Sequence, residues 1–311
     1  MKLTIGSRGS LLALTQSKWV ASQLMQKHAG LQVDIVEIKT TGDVKLAATL
    51  SELGGKGAFT LELEQAMLKG EIDLAVHSLK DLPTDLPNGL ILGCTPERED
   101  PADALVFRDE PAEIANPLDA LKKGATVGTS SLRRKAQLLA KRPDLNIIEF
   151  RGNVDTRLRK LEEGQADATL LAMSGLKRLG FWENSRVQGK FAAPLLEAPD
   201  WLPAVGQAAL GIECREDDSD TRELLGVLNH EDTFKAVTAE RGFLNALGVG
   251  CQAPVAALAT VNGDRIEMTG RIYSENGSKM IEQTAGCNNY KGLGGLLFRM
   301  CKAADADGLL S

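Results

Sequence analysis

Three consecutive segments constrain the fold most. Each begins as a short apolar β-run: ATVGTSSLRRKAQLLAKRP and NIIEFRGNVDTRLRKLEEG continue as helices, and ADATLLAMSGLKRLG is a strand followed by Lys177 and Arg178. Strands alternating with helices at this spacing predict an α/β domain. Each segment also brings cations to the place where a strand ends. Ser130 and Ser131 suit an N-cap, and Arg133 and Arg134 follow in the first helical turn. A helix N-terminus already carries partial positive charge, so two arginines there destabilise it unless an anion offsets them. Arg151 follows the second strand and leads into a Gly-Asn turn and a helix bearing Arg157. Lys177 and Arg178 follow the third. Arginine is thus expected at one edge of the sheet, repeated strand by strand.

A second such sheet precedes this one. Lys2 to Ile5 read as a strand, Gly6 to Ser10 as a turn containing Arg8, and LLALTQSKWVASQLMQKH as a helix. The free N–H groups of that turn favour an anion. VDIVEIK is the next strand. Residues 40–59 are rich in glycine and set Lys56 among glycines, as a lid or loop would. The stretch IDLAVHSLKDLP then begins as a buried strand and delivers Lys80 and Asp81 just before Pro83. Open α/β sheets bind their ligands at the carboxyl ends of strands.

Proline and acidic residues near Pro96–Pro101 mark a crossing into a second domain, and Pro199 and Pro203 mark the return. The strand LGIECR rejoins the first sheet. The expected division is 1–101 with 203–226, then 102–202, then 227–311. Two α/β domains joined by two crossings form a hinged cleft with ligand between them. The last part contains a helical run from Asp220 to Gly248, alternating segments around Asn262-Gly263 and Asn276-Gly277 that read as hairpins, and a closing helix from Tyr290.

Composition narrows the function. The 311 residues carry a net charge of −6 and only 4% aromatics, which disfavours nucleic acid and anionic membranes. Any anion site must therefore be a local concentration of Arg and Lys. The five cysteines include no CxxC pair, and the three histidines are scattered, which argues against disulfides and a metal site. Cys94 and Cys214 lie in apolar runs and read as core. Cys251 stands on a turn between Gly248, Gly250 and Pro254, where a thiol can be an accessible nucleophile or a small buried residue. Met1 leads directly into a strand, with no signal-peptide pattern or spanning apolar run, so a soluble cytoplasmic protein is expected, with nothing demanding more than a monomer.

AVHSLKDLP, VGTSSLRR, RGNVDTRL, GLKRLG, PAVGQ and GCQAP occur in the order and spacing of the porphobilinogen deaminase family, also called the hydroxymethylbilane synthases. The resemblance spans essentially the whole chain. It implies two α/β domains like those of periplasmic binding proteins, plus a small α+β domain. It implies head-to-tail joining of porphobilinogen units with loss of ammonia. The primer would be a dipyrromethane cofactor, held by a thioether at Cys251. Asp81 matches the catalytic aspartate, which would face the cation left by deamination. Arg8, Ser10, Lys80, Thr129, Ser130, Ser131, Arg133, Arg134, Arg151, Gly152, Arg157, Arg178 and Gln207 match cofactor- and substrate-binding positions, and Lys56 a lid position. Both pyrrole side chains of the substrate are carboxylates, which suit bidentate arginine contacts.

This chain departs from the family pattern in three places. Glu52 and Leu61 stand where many members have lysine, and Ala208 stands for the glycine of VGQG. Two other readings share some features. One is a non-catalytic anion-binding protein of the periplasmic-binding type. The other is a cysteine-nucleophile hydrolase, for which no histidine pattern near Cys251 is recognisable.

Overall fold

The computed structural model describes residues 1–44, 59–111, 116–195, 200–250, 253–304 and 308–309. Lys56, Glu52 and Cys251, each singled out above, lie outside the described residues.

The first sheet has the order β2-β1-β3-β12-β4. Its strands are β1 (Lys2–Ser7), β2 (Gln32–Glu37), β3 (Leu74–Ser78), β4 (Leu90–Cys94) and, much later in the chain, β12 (Leu210–Arg215). β1 runs parallel to β2 and β3, while β12 is antiparallel to β3 and β4. Helix α1 (Leu11–Lys27) is started by Ser10, whose Oγ accepts from Ala13 N–H. Its Val20 and Leu24 are fully buried against Leu3 and Ile5 of β1 and Val76 of β3. Cys94 and Cys214 belong to the same core, and burial pushes their thiols up to about 12 and about 11. A short helix α2 (Thr41–Val44) and helix α3 (Leu61–Leu68) precede β3, and Leu63 and Met67 of α3 pack on Ile72 and Ala75.

The second sheet has the order β7-β6-β8-β5-β11-β10-β9. It comprises β5 (Asp103–Phe107), β6 (Thr126–Gly128), β7 (Asn146–Ile148), β8 (Ala168–Ala172), β9 (Trp182–Glu183), β10 (Arg186–Val187) and β11 (Lys190–Pro194). The three parallel strands β7, β6 and β8 come from the three segments that opened the sequence argument. Their helices are α4 (Leu132–Lys141), α5 (Val154–Glu162) and α6 (Met173–Arg178). The chain passes from the first sheet to the second between Cys94 and Asp103, and back between Pro194 and Leu210.

The expected helical run after β12 is two helices, α7 (Ser219–Gly226) and α8 (Glu231–Ala246), the second capped by His230. Strands β13 (Val255–Asn262), β14 (Arg265–Tyr273) and β15 (Met280–Cys287) form the expected antiparallel meander, and α9 (Tyr290–Ala303) packs on α8. The β14–β15 turn reaches the second sheet's helices. A Cβ on Gly277, at φ +69°, would lie 2.2 Å from the carbonyl oxygen of Ala136 in α4.

Ala208 sits on the return crossing at φ +73°, 5% exposed. Its carbonyl accepts from the Arg178 guanidinium at 2.6 Å. An alanine in this left-handed region costs about 1–2 kcal/mol. Glycine removes that strain but regains about 0.4–1 kcal/mol of unfolded-state entropy. Ala208→Gly should therefore stabilise the chain by roughly 0.5–1 kcal/mol, checked by urea denaturation; a destabilised variant would show the turn to be relaxed with alanine.

Candidate functional site

Helix α8 fixes the turn that carries Asp81. After β3 the chain makes a single 3₁₀ turn, Leu79–Asp81. Leu79 and Leu82 are 1% exposed and pack with Ala209 and with Val237 of α8. Leu79 N–H donates to Ala209 C=O at 3.0 Å. Four residues beyond Val237, Arg241 donates to the carbonyls of Leu82 at 3.0 Å, Pro83 at 2.6 Å and Thr84 at 3.3 Å. With both leucines held inward, Lys80 and Asp81 line a cavity of about 220 Å³ between the two sheets.

Arg8, Ser10, Gln16, Phe59 and His77 line this cavity from the side of the first sheet. Arg134, Gly152, Asp155 and Arg157 line it from the side of the second sheet. The Arg8 guanidinium stacks 4.3 Å from the centre of the Phe59 ring. Gln16, on α1, donates to Ser78 Oγ at 3.0 Å. Arg157 Nε donates to Gly152 C=O at 2.8 Å. Burial, with nearby Arg134 adding to it and Asp81 opposing, lowers the Arg157 pKa to about 10. Burial likewise lowers Lys80 to about 8, against the pull of Asp81. Lys80 Nζ donates to Gln207 Oε1 at 3.3 Å.

The anion that α4 requires is internal. Asp103, the first residue of β5, is fully buried, and its carboxylate accepts four hydrogen bonds. Arg133 and Trp201 reach Oδ2 at 2.8 and 2.9 Å, while Arg134 and Gln207 reach Oδ1 at 2.7 and 2.9 Å. Burial alone would raise this carboxyl, but the two guanidinium groups and their hydrogen bonds hold it far below the usual range. Arg134 still lines the cavity; Arg133 does not, and its other contact is Leu202 C=O at 2.8 Å.

Several other residues singled out in the sequence lie outside the cavity lining. Thr129 Oγ1 accepts from Ser131 N–H, Ser130 Oγ from Phe150 N–H, and Ser131 Oγ from Arg134 N–H, so these hydroxyls build the β6–α4 turn. Arg151 pairs with Glu149 at 2.6 Å. Arg178 does not follow a strand end as expected. Helix α6 intervenes, and Arg178 lies in its last turn, where the helix dipole favours a cation. Its neighbour Lys177 pairs with Glu99 and Asp100 across the crossing. Asp103, Phe59, Gln16 and His77 were not singled out as site residues. The demand for an anion by two first-turn arginines was the one signal that pointed toward Asp103. Leu61 begins α3 with its side chain 49% exposed.

Two outcomes follow from these charges. Asp103→Asn leaves two buried guanidinium groups short of a counter-charge, so it should cost about 3–5 kcal/mol in denaturant titration. A loss below 1 kcal/mol would mean that water or another carboxylate replaces it. Lys80 loses its proton as pH rises through about 8, removing a cation from the cavity of the free protein. Capture of a carboxylate ligand, read as kcat/KM, should therefore fall above that pH, and Lys80→Gln should abolish this limb while lowering the plateau. An unchanged alkaline limb in the variant would assign it to another group.

A family model described as "Porphobilinogen deaminase, dipyromethane cofactor binding domain" matches residues 3–223, and one for the porphobilinogen deaminase C-terminal domain matches 234–294. A curated relative named porphobilinogen deaminase, from Bacillus subtilis (strain 168), is 48% identical over 306 residues, covering 98% of this chain and 93% of its own. Another of that name, from Nitratidesulfovibrio vulgaris (strain Hildenborough), is 50% identical over 287 residues, covering 91% and 86%. Among solved structures, the methionine-binding protein MetQ is similar at 14% identity and a TM-score of 0.45, covering 77% of this chain and 94% of its own. With both family models together spanning most of its length, and the cavity lying within the first of them, the chain belongs to the porphobilinogen deaminase family.

Proposed function

We propose that this chain is a hydroxymethylbilane synthase, a transferase of tetrapyrrole biosynthesis that joins four porphobilinogen units with release of ammonia and frees hydroxymethylbilane by hydrolysis. The observation that carries this is Asp81 set in one cavity with Arg8, Lys80, Arg134 and Arg157. Four cations against the two carboxylates Asp81 and Asp155 leave the cavity net positive, which suits an acidic ligand, with Asp81 beside Lys80 to face a positive charge that develops on it. Each charge-assisted contact to a ligand carboxylate contributes about 1.5–3 kcal/mol. Asp81 stabilises the cation that forms when the aminomethyl nitrogen leaves, and accepts the pyrrole N–H.

A dipyrromethane carries four carboxylates, and the four cavity cations fit that charge. When bound, it supplies the primer to which substrate is added. Cys251 is the attachment residue, through a thioether, on the match of GCQAP to the family motif. Arg8, Lys80, Arg134 and Arg157 hold carboxylates directly. Gly152 brings backbone to the cavity wall, and Ser10 keeps α1 beginning there. Arg133 and Gln207 hold Arg134 and Lys80 in place through Asp103. Thr129, Ser130 and Ser131 shape the turn before Arg134. Arg151, Arg178 and Lys56 complete the binding set as the chain lengthens. Glu52 and Leu61 leave the segment around Lys56 with fewer cations than many relatives have. No helix among the described residues is long and apolar enough to cross a membrane, and the same proposal takes the enzyme as a cytoplasmic monomer.

Intact-protein mass spectrometry tests this together with turnover. Purified protein should exceed its sequence mass by one dipyrromethane, and Cys251→Ala should not. Asp81→Asn should keep the added mass and lose nearly all ammonia release. A wild-type chain that gains no mass and releases no ammonia when fed porphobilinogen would exclude the synthase in favour of a binding protein.

A further inference from the structure

Behind the cavity wall lies a group of buried titratable side chains to which no role has yet been given. His77 precedes Ser78 at the end of β3; the residue is part of the cavity lining, and its side chain is 4% exposed. Nε2 lies 3.1 Å from Oε2 of Glu213, whose side chain is fully buried. The sheet register produces this pair. Glu213 of β12 is paired with Ala75, and Gly211 is paired with His77. Ala75 and His77 point to the same face, so Glu213 is the diagonal neighbour of His77, and the place a side chain at Gly211 would take is filled by Leu79 and Leu92.

Helix α3 covers the same face and adds Glu64, 5% exposed. One carboxylate oxygen on each of Glu213 and Glu64 is buried without a hydrogen-bond partner among the described residues. Two buried carboxylates cannot both stay ionised beside a neutral ring without a large desolvation penalty. Burial, with Glu213 adding to it and His77 opposing, raises the Glu64 pKa. Glu64 thus favours its protonated form beside a cavity otherwise crowded with cations. The charged groups facing His77 are Glu213 from β12 and Glu64 from α3, with Glu62 nearby on α3. Across the cavity are Arg8, Arg134 and Arg157, and further along its own chain Lys80 and Asp81.

We infer that His77, held by Glu213, is the general acid that protonates the nitrogen leaving from porphobilinogen. Glu213 fixes Nε2–H, which leaves Nδ1 as the nitrogen available to the cavity; Nδ1 has no partner among the described residues. The proton moves from the imidazolium to the substrate amine. The carbon–nitrogen bond breaks, its electron pair leaves with nitrogen, and ammonia departs. The pyrrole methylene carbon keeps the positive charge, which Asp81 faces. Each condensation returns one proton to the cavity for each ammonia released, so the ring is recharged within the cycle and no outside acid is consumed. Glu64 holds the next proton against loss to solvent. This inference rests on the synthase reading of the cavity.

The test compares the wild-type holoenzyme with His77→Gln, each confirmed to carry the added cofactor mass, in ammonia release from porphobilinogen. General acid catalysis contributes about 10²–10⁴-fold, so kcat should fall at least about 10²-fold with KM within about threefold. Added imidazole buffer should restore turnover in proportion to its protonated form, a response that a merely structural histidine would not give. Unchanged kcat, or a loss indifferent to imidazolium, would overturn the inference. If His77→Gln does not fold, Glu213→Gln is read in the same assay. It keeps the ring but removes the charge that orients it, and should lower kcat about tenfold or more with the same buffer response; a normal kcat there would also overturn it. Asp81→Asn serves as the control. A wild type without ammonia release refutes the synthase reading itself, whereas an active wild type, an inactive Asp81→Asn and a normal His77→Gln refute only the role of His77.

Discussion

Much of this structure depends on one carboxylate. Asp103 is removed from water and accepts from Arg133, Arg134, Trp201 and Gln207. A carboxylate in that position would ordinarily be costly, and two arginines on the first turn of a helix would be costly as well. Placed together they offset each other's cost and leave one net positive charge, and the geometry becomes specific because each oxygen has two donors. Gln207 then extends the contact to Lys80, so the return crossing links a fully buried charge to a cavity residue. The cations that face the ligand are held in place before it arrives, which is what electrostatic preorganisation requires.

Helix α8, which packs on the three-stranded sheet, contributes to the same site from behind. Arg98 and Gly206 both bond to the buried Glu240 of α8, and Arg241 on the next position holds the chain after Asp81. Helix α8 therefore ties together the first crossing, the return crossing and the turn of Asp81. The element that leads toward Cys251 in sequence is also the one that fixes the geometry of Asp81 in space.

The sequence made legible whatever depends on local periodicity and local chemistry. Lys2 to Ile5 and the stretch after Ser10 show as strand and helix, Ser131 caps the helix it precedes, and the Gly263 and Gly277 turns join antiparallel strands. Arg8, Lys80, Asp81, Arg134 and Arg157 meet in one cavity because α/β sheets gather strand ends. What could not be read required distance in sequence. Asp103 is 30 residues from Arg133, and nothing between them signals the pair. His77 and Glu213 are 136 residues apart, joined only by the register of β12 on β3. Helix α6 was missed because six residues are too few to show a helical period against the strand before them.

The contact of Gly277 with α4 also bears on which sequences can keep this fold. The turn from β14 to β15 touches the Ala136 carbonyl, in the helix that carries both Arg133 and Arg134. A methyl group at 277 would overlap that oxygen and would also have to adopt a backbone conformation L-residues avoid. The two constraints act together, so no milder substitution relieves both. A position in a surface hairpin, far from Asp81 in the chain, is thereby closed to evolutionary drift as firmly as a core site, and variation there is admissible only with a compensating change in α4.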